Sequence, residues 1–264
     1  MQRLMNFMFP SSSRSVLFDP VNMFRPICVG PTCSLMANRP LTKTTSPVYV
    51  PCRQVKIYTR TGDQGQSSLF TGERRWKTDP VFHALGTIDE LSCIVGISLA
   101  HLEPLTEDST ARLSTVCTQL KEIQTLLFTI GSCVATPLPD PSSDQAETKR
   151  TPRYAHVTFP EQPVHLLEEW IDAMSSELPP LRQFILPSGH STACYLHLAR
   201  AVCRRAERHV LALNVDDHTP RVEQSVLRFL NRLSDYFFTV ARFLNCHLGV
   251  KELLYTSPPR AKNT

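Results

Sequence analysis

Residues 222–243 read V-E-Q-S-V-L-R-F-L-N-R-L-S-D-Y-F-F-T-V-A-R-F. Val222, Val226, Phe229, Leu233, Tyr236, Val240 and Phe243 recur there in alternating steps of four and three. An α-helix turns once per 3.6 residues, so a repeat averaging about 3.5 keeps one apolar stripe on one face and suits nearly parallel packing. The stripe predicts a helix from Pro220 to near His247 that forms one wall of a bundle.

Four more helices are predicted upstream. Asp79-Pro80 supplies a capping side chain followed by proline at the first helical position. The helix it opens carries Phe82, Leu85, Ile88, Leu91, Val95 and Leu99. A second, from Ser109 to Cys133, spaces Leu113, Val116, Leu120, Ile123, Leu127 and Ile130 by three and four. A third covers 164–178 and stops at Pro179-Pro180, and a fourth runs from near Ser188 to Leu213. With no comparable run of alternating strand residues, the fold class expected is all-α, a five-helix up-and-down bundle. The stretch 137–162 holds five prolines among polar residues and reads as a mobile surface loop.

The 264 residues, 42% apolar and 20% charged, are ordinary for a globular chain. No unbroken apolar run approaches the roughly 18–20 residues that span a bilayer, so no membrane partner is expected. The net charge is +4, but Arg3, Arg14, Arg25, Arg39, Lys43 and Arg53 against Asp19 put +5 on residues 1–54 and leave −1 on the rest. A nucleic-acid binder keeps its basic excess on the folded domain, so none is expected here. An arginine-rich, acid-poor, proline-interrupted start has the composition of a mitochondrial transit peptide, disordered at 1–52. The body is expected at 53–256 and a polar tail at 257–264, in the mitochondrial matrix. Nine cysteines without a Cys-x-x-Cys pair fit a reducing compartment. Cys93, Cys117, Cys133, Cys194 and Cys203 fall in apolar helical patterns and read as small core residues.

Charged residues on the fourth helix stand out. Arg200, Arg204 and Glu207 share one face, with Arg205 and Arg208 beside them. The fifth helix carries Arg228, Asn231, Asp235 and Arg242 at matching intervals, so two polar stripes can face each other. A charge run is usually just a solvated face; two facing stripes inside a bundle normally bind something. Upstream, Thr59–Gly72 sets Gly62, Gly65 and Gly72 among Thr61, Ser67 and Ser68. Glycines let backbone N–H groups turn toward an anion and hydroxyls add donors, although the Gly-Lys-Ser/Thr of a Walker loop is missing. Lys77 is within reach of such an anion. Asp89, mid-helix beside Ile88 and Leu91, needs a cationic partner if it lies near the core, and Arg200 is the candidate.

Five blocks in order carry a resemblance: Tyr58–Gly72 (Y-T-R-T-G-D-Q-G-Q-S-S-L-F-T-G), Gly86–Leu91 (G-T-I-D-E-L), Phe184–Gly189 (F-I-L-P-S-G), Leu196–Arg208 (L-H-L-A-R-A-V-C-R-R-A-E-R) and Phe229–Tyr236 (F-L-N-R-L-S-D-Y). Together they resemble the ATP:cob(I)alamin adenosyltransferases of the class that includes the mitochondrial mammalian enzyme. Ser92, where many relatives carry Asn, and Cys194, in place of a small alanine, are departures that remove no motif residue. The resemblance implies a homotrimer with sites between subunits. It implies that Thr59, Arg60, Thr61, Gly62, Ser67, Ser68 and Lys77 hold the phosphates of ATP, and that Arg204, Arg205, Ala206, Glu207, Arg208 and Asn231 bind ATP from the helical side. Asp89 and Arg200 match an intersubunit ion pair. Phe184 matches the aromatic that displaces the lower axial ligand of cobalamin, Asp235 matches a polar residue near the corrin, and the resemblance implies that Arg204, Asp235 and Phe184 are the catalytic residues.

The activity implied by the resemblance is transfer of the 5′-deoxyadenosyl group of ATP to cob(I)alamin, with Mg²⁺ held mainly through the phosphates and no metal site of the protein's own. The reduced cobalt is itself the nucleophile, so the protein need only align and neutralise. A cobalamin reductase, flavin-dependent or other, and an adenosylcobalamin-dependent mutase are the partners implied. The alternative is an ATP-gated carrier delivering cobalamin to a mutase. A ferritin-like di-metal bundle needs inward Glu-x-x-His pairs, which none of the five helical segments contains.

Overall fold

The computed structural model describes residues 58–106, 111–138, 157–214 and 221–256. The expected leader at 1–52, most of the 137–162 loop and the tail at 257–264 lie outside the described residues. The chain divides into a unit at Met1–Arg60 and one at Thr61–Thr264. Of the first, residues 58–60 are described: Arg60 has a left-handed φ of 58° and its guanidinium lies 5.5 Å from the centroid of the Tyr58 ring.

Among its described residues the second unit contains five helices: α1 at Pro80–Thr106, α2 at Ala111–Val134, α3 at Gln162–Ser175, α4 at Ser191–Ala212 and α5 at Gln224–His247. α1 packs on α2 and α4, and α5 packs on α3 and α4. All seven seam residues of the last helical segment are buried, as are Leu113, Val116, Leu120, Ile123, Leu127 and Ile130 of α2. Each such side chain contributes about 1.5–3 kcal/mol. Asp79 opens α1 as expected, its Oδ1 accepting the Val81 N–H at 2.9 Å. Tyr236, fully buried, donates its hydroxyl to Gln119 Oε1 at 2.9 Å and so ties α5 to α2.

Several boundaries move inward. α5 begins at Gln224 rather than Pro220, because Glu223 takes the N-cap position while its carboxylate accepts the Phe159 N–H at 2.6 Å. α4 begins after His190, whose Nδ1 accepts the Thr192 N–H at 3.3 Å. α3 covers 162–175, and 176–178 continue as turns. Among the described residues, four short strands accompany the expected helical bundle. β1 (Gln66–Ser68) pairs antiparallel with β2 (Arg74–Trp76), and β3 (Ile185–Leu186) with β4 (Leu253–Leu254). Ladders of two or three residues are too short to show a period of two.

Two expectations need correcting. Cys117, Cys133 and Cys203 are core residues, but Cys93 and Cys194 are exposed, because their faces of α1 and α4 point away from the packed sides. Burial pushes the Cys133 thiol up to about 12 and the Cys203 thiol higher still, so both are inert. α1 is, moreover, long and apolar enough by composition to cross a membrane. Its Leu85, Ile88, Leu91, Val95 and Leu99 are instead buried in the bundle core.

Removing one seam side chain tests this packing. Leu233→Ala is expected to cost about 2–5 kcal/mol, read as a lower urea midpoint with an unchanged slope; a loss under about 1 kcal/mol would mean that the stripe is not tightly packed.

Candidate functional site

The glycine loop is a β-hairpin. Gly65, at φ 78°, donates its N–H to Gly62 O at 3.2 Å and accepts the Lys77 N–H at 2.9 Å. Arg74 fastens the open end, its Nη2 donating to Thr61 O at 2.8 Å. Lys77 folds back over the loop, so that a Cβ on Gly62 would lie 3.2 Å from Lys77 Nζ. A side chain at position 62 would press the ammonium away by a few tenths of an ångström. The hairpin is anchored to the bundle by buried Leu69 and by the Phe70 N–H, which donates to Ala135 O at 3.1 Å. The structure thus brings Thr61, Gly62, Ser67, Ser68 and Lys77 into one element. Thr59 and Arg60 belong to the other unit.

On the helical side, α4 and α5 bring Glu207 and Asn231 together, with Asn231 Nδ2 donating to Glu207 Oε1 at 2.9 Å. Arg204 is exposed and has no acidic partner among the described residues. Its neighbours are otherwise engaged: Arg205 pairs with Glu90 of α1, and Arg208 Nη1 donates to Arg204 O at 3.0 Å. Ala206 is fully buried, so its side chain packs the core and is not available to a ligand. The second stripe is shorter than the spacing implied. Arg228 pairs with Glu161, and exposed Asp235 lies 3.6 Å from Arg232. Arg242 is buried and leaves the stripe altogether, since its position on α5 carries it round to the α3–β3 loop.

Asp89 is exposed rather than near the core, and among the described residues no hydrogen bond or ion pair joins it to Arg200. Arg200 Nε is nevertheless buried without a partner, as is Nδ1 of neighbouring His197. No hydrogen bond or ion pair among the described residues links Lys77, Ser67 or Ser68 to Arg204, Glu207 or Asn231. Within one chain the hairpin and the helical stripe are two groups of candidate residues, not bonded to each other among the described residues.

The Phe184 stretch is more than a tight turn. Its ring is 82% exposed, and Leu181, Leu186, Leu253, Leu254 and Tyr255 are exposed around the β3–β4 ladder. An apolar platform of this kind marks a binding surface. Sequence reasoning misses Leu253, Leu254 and Tyr255; the apolar run just before the polar tail is the one signal for them. Among the described residues no group of three or more His, Cys, Asp and Glu is placed to hold a metal.

A glycine hairpin, a polar helical stripe and an exposed apolar platform on a five-helix bundle narrow the class, and comparison with known proteins identifies it. The pattern of the family described as cobalamin adenosyltransferase matches residues 57–244. The chain is 47% identical over 200 residues to corrinoid adenosyltransferase MMAB of Mus musculus, covering 76% of this chain and 77% of that protein. It is 40% identical to the corrinoid adenosyltransferase of Bacillus subtilis, covering 76% and 92%. A solved variant of the PduO-type ATP:corrinoid adenosyltransferase from Lactobacillus reuteri, complexed with cobalamin and ATP, superposes with a TM-score of 0.64 at 35% identity, covering 76% of this chain and 100% of that one. The chain belongs to the cobalamin adenosyltransferase family.

The buried His197 gives a test of this corner of the bundle. Burial, assisted by Arg200, holds its imidazole down at about 4, against about 6.5 in an unfolded chain. Above pH 6.5 both states are neutral there. As pH falls from about 6.5 to about 4, the unfolded chain takes up the proton first, so native stability declines. His197→Leu is expected to flatten that decline in urea unfolding compared at about pH 7.5 and about pH 5. An unchanged decline would mean that the imidazole titrates normally.

Proposed function

We propose that this chain transfers the 5′-deoxyadenosyl group of ATP to cob(I)alamin, releasing triphosphate and forming adenosylcobalamin. The observation that carries the reading is Phe184: an aromatic ring 82% exposed on a hydrogen-bonded ladder, amid other exposed apolar side chains. Leaving such a surface in water is unfavourable unless a large apolar ligand covers it. A corrin ring is such a ligand.

Cobalt(I) supplies an electron pair to the 5′ carbon; the cobalt–carbon bond forms as the carbon–oxygen bond breaks, and triphosphate leaves with that bonding pair. The protein's task is alignment and charge neutralisation. Lys77 and the backbone N–H groups of the glycine hairpin suit the phosphates. Arg204, with no acidic partner among the described residues to compete for it, suits the charge that builds on the leaving group. Glu207 and Asn231, already oriented by their mutual hydrogen bond, suit the nucleoside. Arg205 and Arg208 are secondary, being engaged within the chain. Mg²⁺ would be held through the phosphates, with hard oxygens of Glu207 and Asn231 within the same stripe. Phe184 would occupy the lower face of cobalamin in place of its axial ligand, which eases reduction to cob(I), and exposed Asp235 is the polar group assigned to the corrin.

The site would be completed in a homotrimer. Supporting this are the unjoined half-sites, the partnerless Arg200 Nε, exposed Asp89, and exposed apolar Ile97 and Leu198 on neighbouring α1 and α4. Asp89 of one subunit would then pair with Arg200 of the next. The chemistry calls for a one-electron reductase upstream and an adenosylcobalamin-dependent mutase downstream. The composition of residues 1–52 supports a mitochondrial address.

Anaerobic incubation with chemically reduced cobalamin, ATP and Mg²⁺ tests the reading: a light-sensitive alkylcobalamin should form with one triphosphate released per cofactor. Arg204→Ala should lower kcat/KM about tenfold to a few hundredfold, the equivalent of losing a charged hydrogen bond. Phe184→Ala should fail mainly when the assay starts from cob(II)alamin and recover with pre-reduced cofactor. Binding of both substrates without turnover would instead make the chain a carrier.

A further inference from the structure

Phe184 is exposed, yet the backbone that carries it is not free. The Tyr255 N–H donates to Phe184 O at 2.8 Å, and β4 pairs with β3 immediately after the ring. Ser188 closes the ladder: its Oγ donates to Leu186 O at 2.9 Å and accepts the Leu253 N–H at 3.0 Å. The far end of this small frame reaches into the core. Asn245 of α5 is 1% exposed, its Oδ1 accepts the His190 N–H at 3.0 Å, and its Nδ2 donates to Ser188 O at 3.1 Å.

Gly189, between those two residues, has φ 102°, and a Cβ there would lie 2.3 Å from Asn245 Oδ1. The loop thus passes against the amide at a distance that only glycine permits. One turn earlier on α5, buried Arg242 donates through Nε to Glu252 at 3.2 Å and through Nη2 to Pro179 O at 3.0 Å. These contacts hold both chain segments that lead into the ladder. Both side chains are buried, one turn apart on α5. Each satisfies backbone groups of the Phe184 frame.

We propose that Asn245 is a positioning residue for Phe184. It fixes the ring's backbone through Gly189, Ser188 and the β3–β4 ladder, touching neither ATP nor cobalamin, and Arg242 secures the outer ends of the same frame. The proposal rests on the adenosyl-transfer reading for what Phe184 does, but the latch itself is a property of the chain alone. Its rival is a purely structural role, in which Asn245 merely supports the start of α4. Loss of that support would loosen α4 and weaken the Arg204 stripe together with the Phe184 platform.

The test uses full-length Asn245→Ala, with Ser188→Ala as a second variant that leaves the core intact. Hydrogen exchange, read without either substrate, should accelerate by about tenfold or more at 184–190 and 253–255, with α4 beyond Ala193 unchanged. ATP affinity should stay within about twofold of wild type. The conversion starting from cob(II)alamin should fall about tenfold, with the spectrum of ATP-bound cob(II)alamin shifted back toward the axially ligated form, whereas pre-reduced cofactor should restore most of the rate. Ser188→Ala should move the same readouts in the same direction by a smaller factor.

Unchanged exchange in both variants would overturn the proposal. So would an equal loss of ATP affinity, or an equal loss of rate with cob(II)- and cob(I)alamin. If Asn245→Ala does not fold, Ser188→Ala decides by the same criteria. A wild-type protein that forms no alkylcobalamin would defeat the adenosyl-transfer reading, and the exchange measurement would still decide whether the latch exists.

Discussion

The helical side of the proposed site and the frame of Phe184 both depend on the register of one apolar stripe. Val226, Phe229, Leu233, Tyr236, Val240 and Phe243 must all be buried on α5, and satisfying that requirement fixes the rotation of the helix. Once the rotation is fixed, Asn231 can only emerge beside Glu207 of α4, while Arg242 and Asn245 can only turn inward beneath the Phe184 loop. The packing of a single helix therefore orients the Asn231–Glu207 pair proposed for the nucleotide and, at its end, the proposed polar latch. A rotation of one residue step, about 100°, would destroy both at once.

The same rigidity bears on the proposal that the site is completed between subunits. The glycine hairpin is fastened to the end of α2 through Phe70 and Ala135, and the Arg204 stripe is fixed on α4. In the proposed trimer the halves meet between subunits, with Asp89 and Arg200 marking the boundary. A partnerless buried guanidinium nitrogen is costly in isolation, and its retention makes sense where a neighbouring carboxylate completes it.

How much of this is legible in the sequence depends on the length scale of each feature. Long helices announce themselves, because six or seven apolar residues at steps of three and four leave little else for the chain to form. The ladders at 66–76 and 185–254 do not, since two or three residues carry no period. Lys77 and Gly62 are legible as phosphate-type residues, but not their contact, which depends on the turn at Gly65. Asn245 is hidden for another reason. It sits among apolar residues near the end of a helix and reads as an exposed polar residue in the last turn, and only the close pass of Gly189 reveals its role. Arg205 and Ala206 show the converse: membership in a motif does not reveal that one is engaged by Glu90 and the other lies in the core.

The central claim is that the two half-sites act together across a subunit boundary. Subunit mixing tests it most directly. Lys77→Ala impairs the hairpin and Arg204→Ala the helical stripe, so each homogeneous protein should fall well below wild type, Arg204→Ala by about tenfold to a few hundredfold. Unfolding the two together and refolding them as mixed assemblies should regenerate boundaries that pair an intact hairpin from one chain with an intact stripe from the next, and adenosyl transfer should return to a substantial fraction of the wild-type rate. Mixed assemblies that form but stay as inactive as their parents would contradict the account, placing both halves of each site within a single chain.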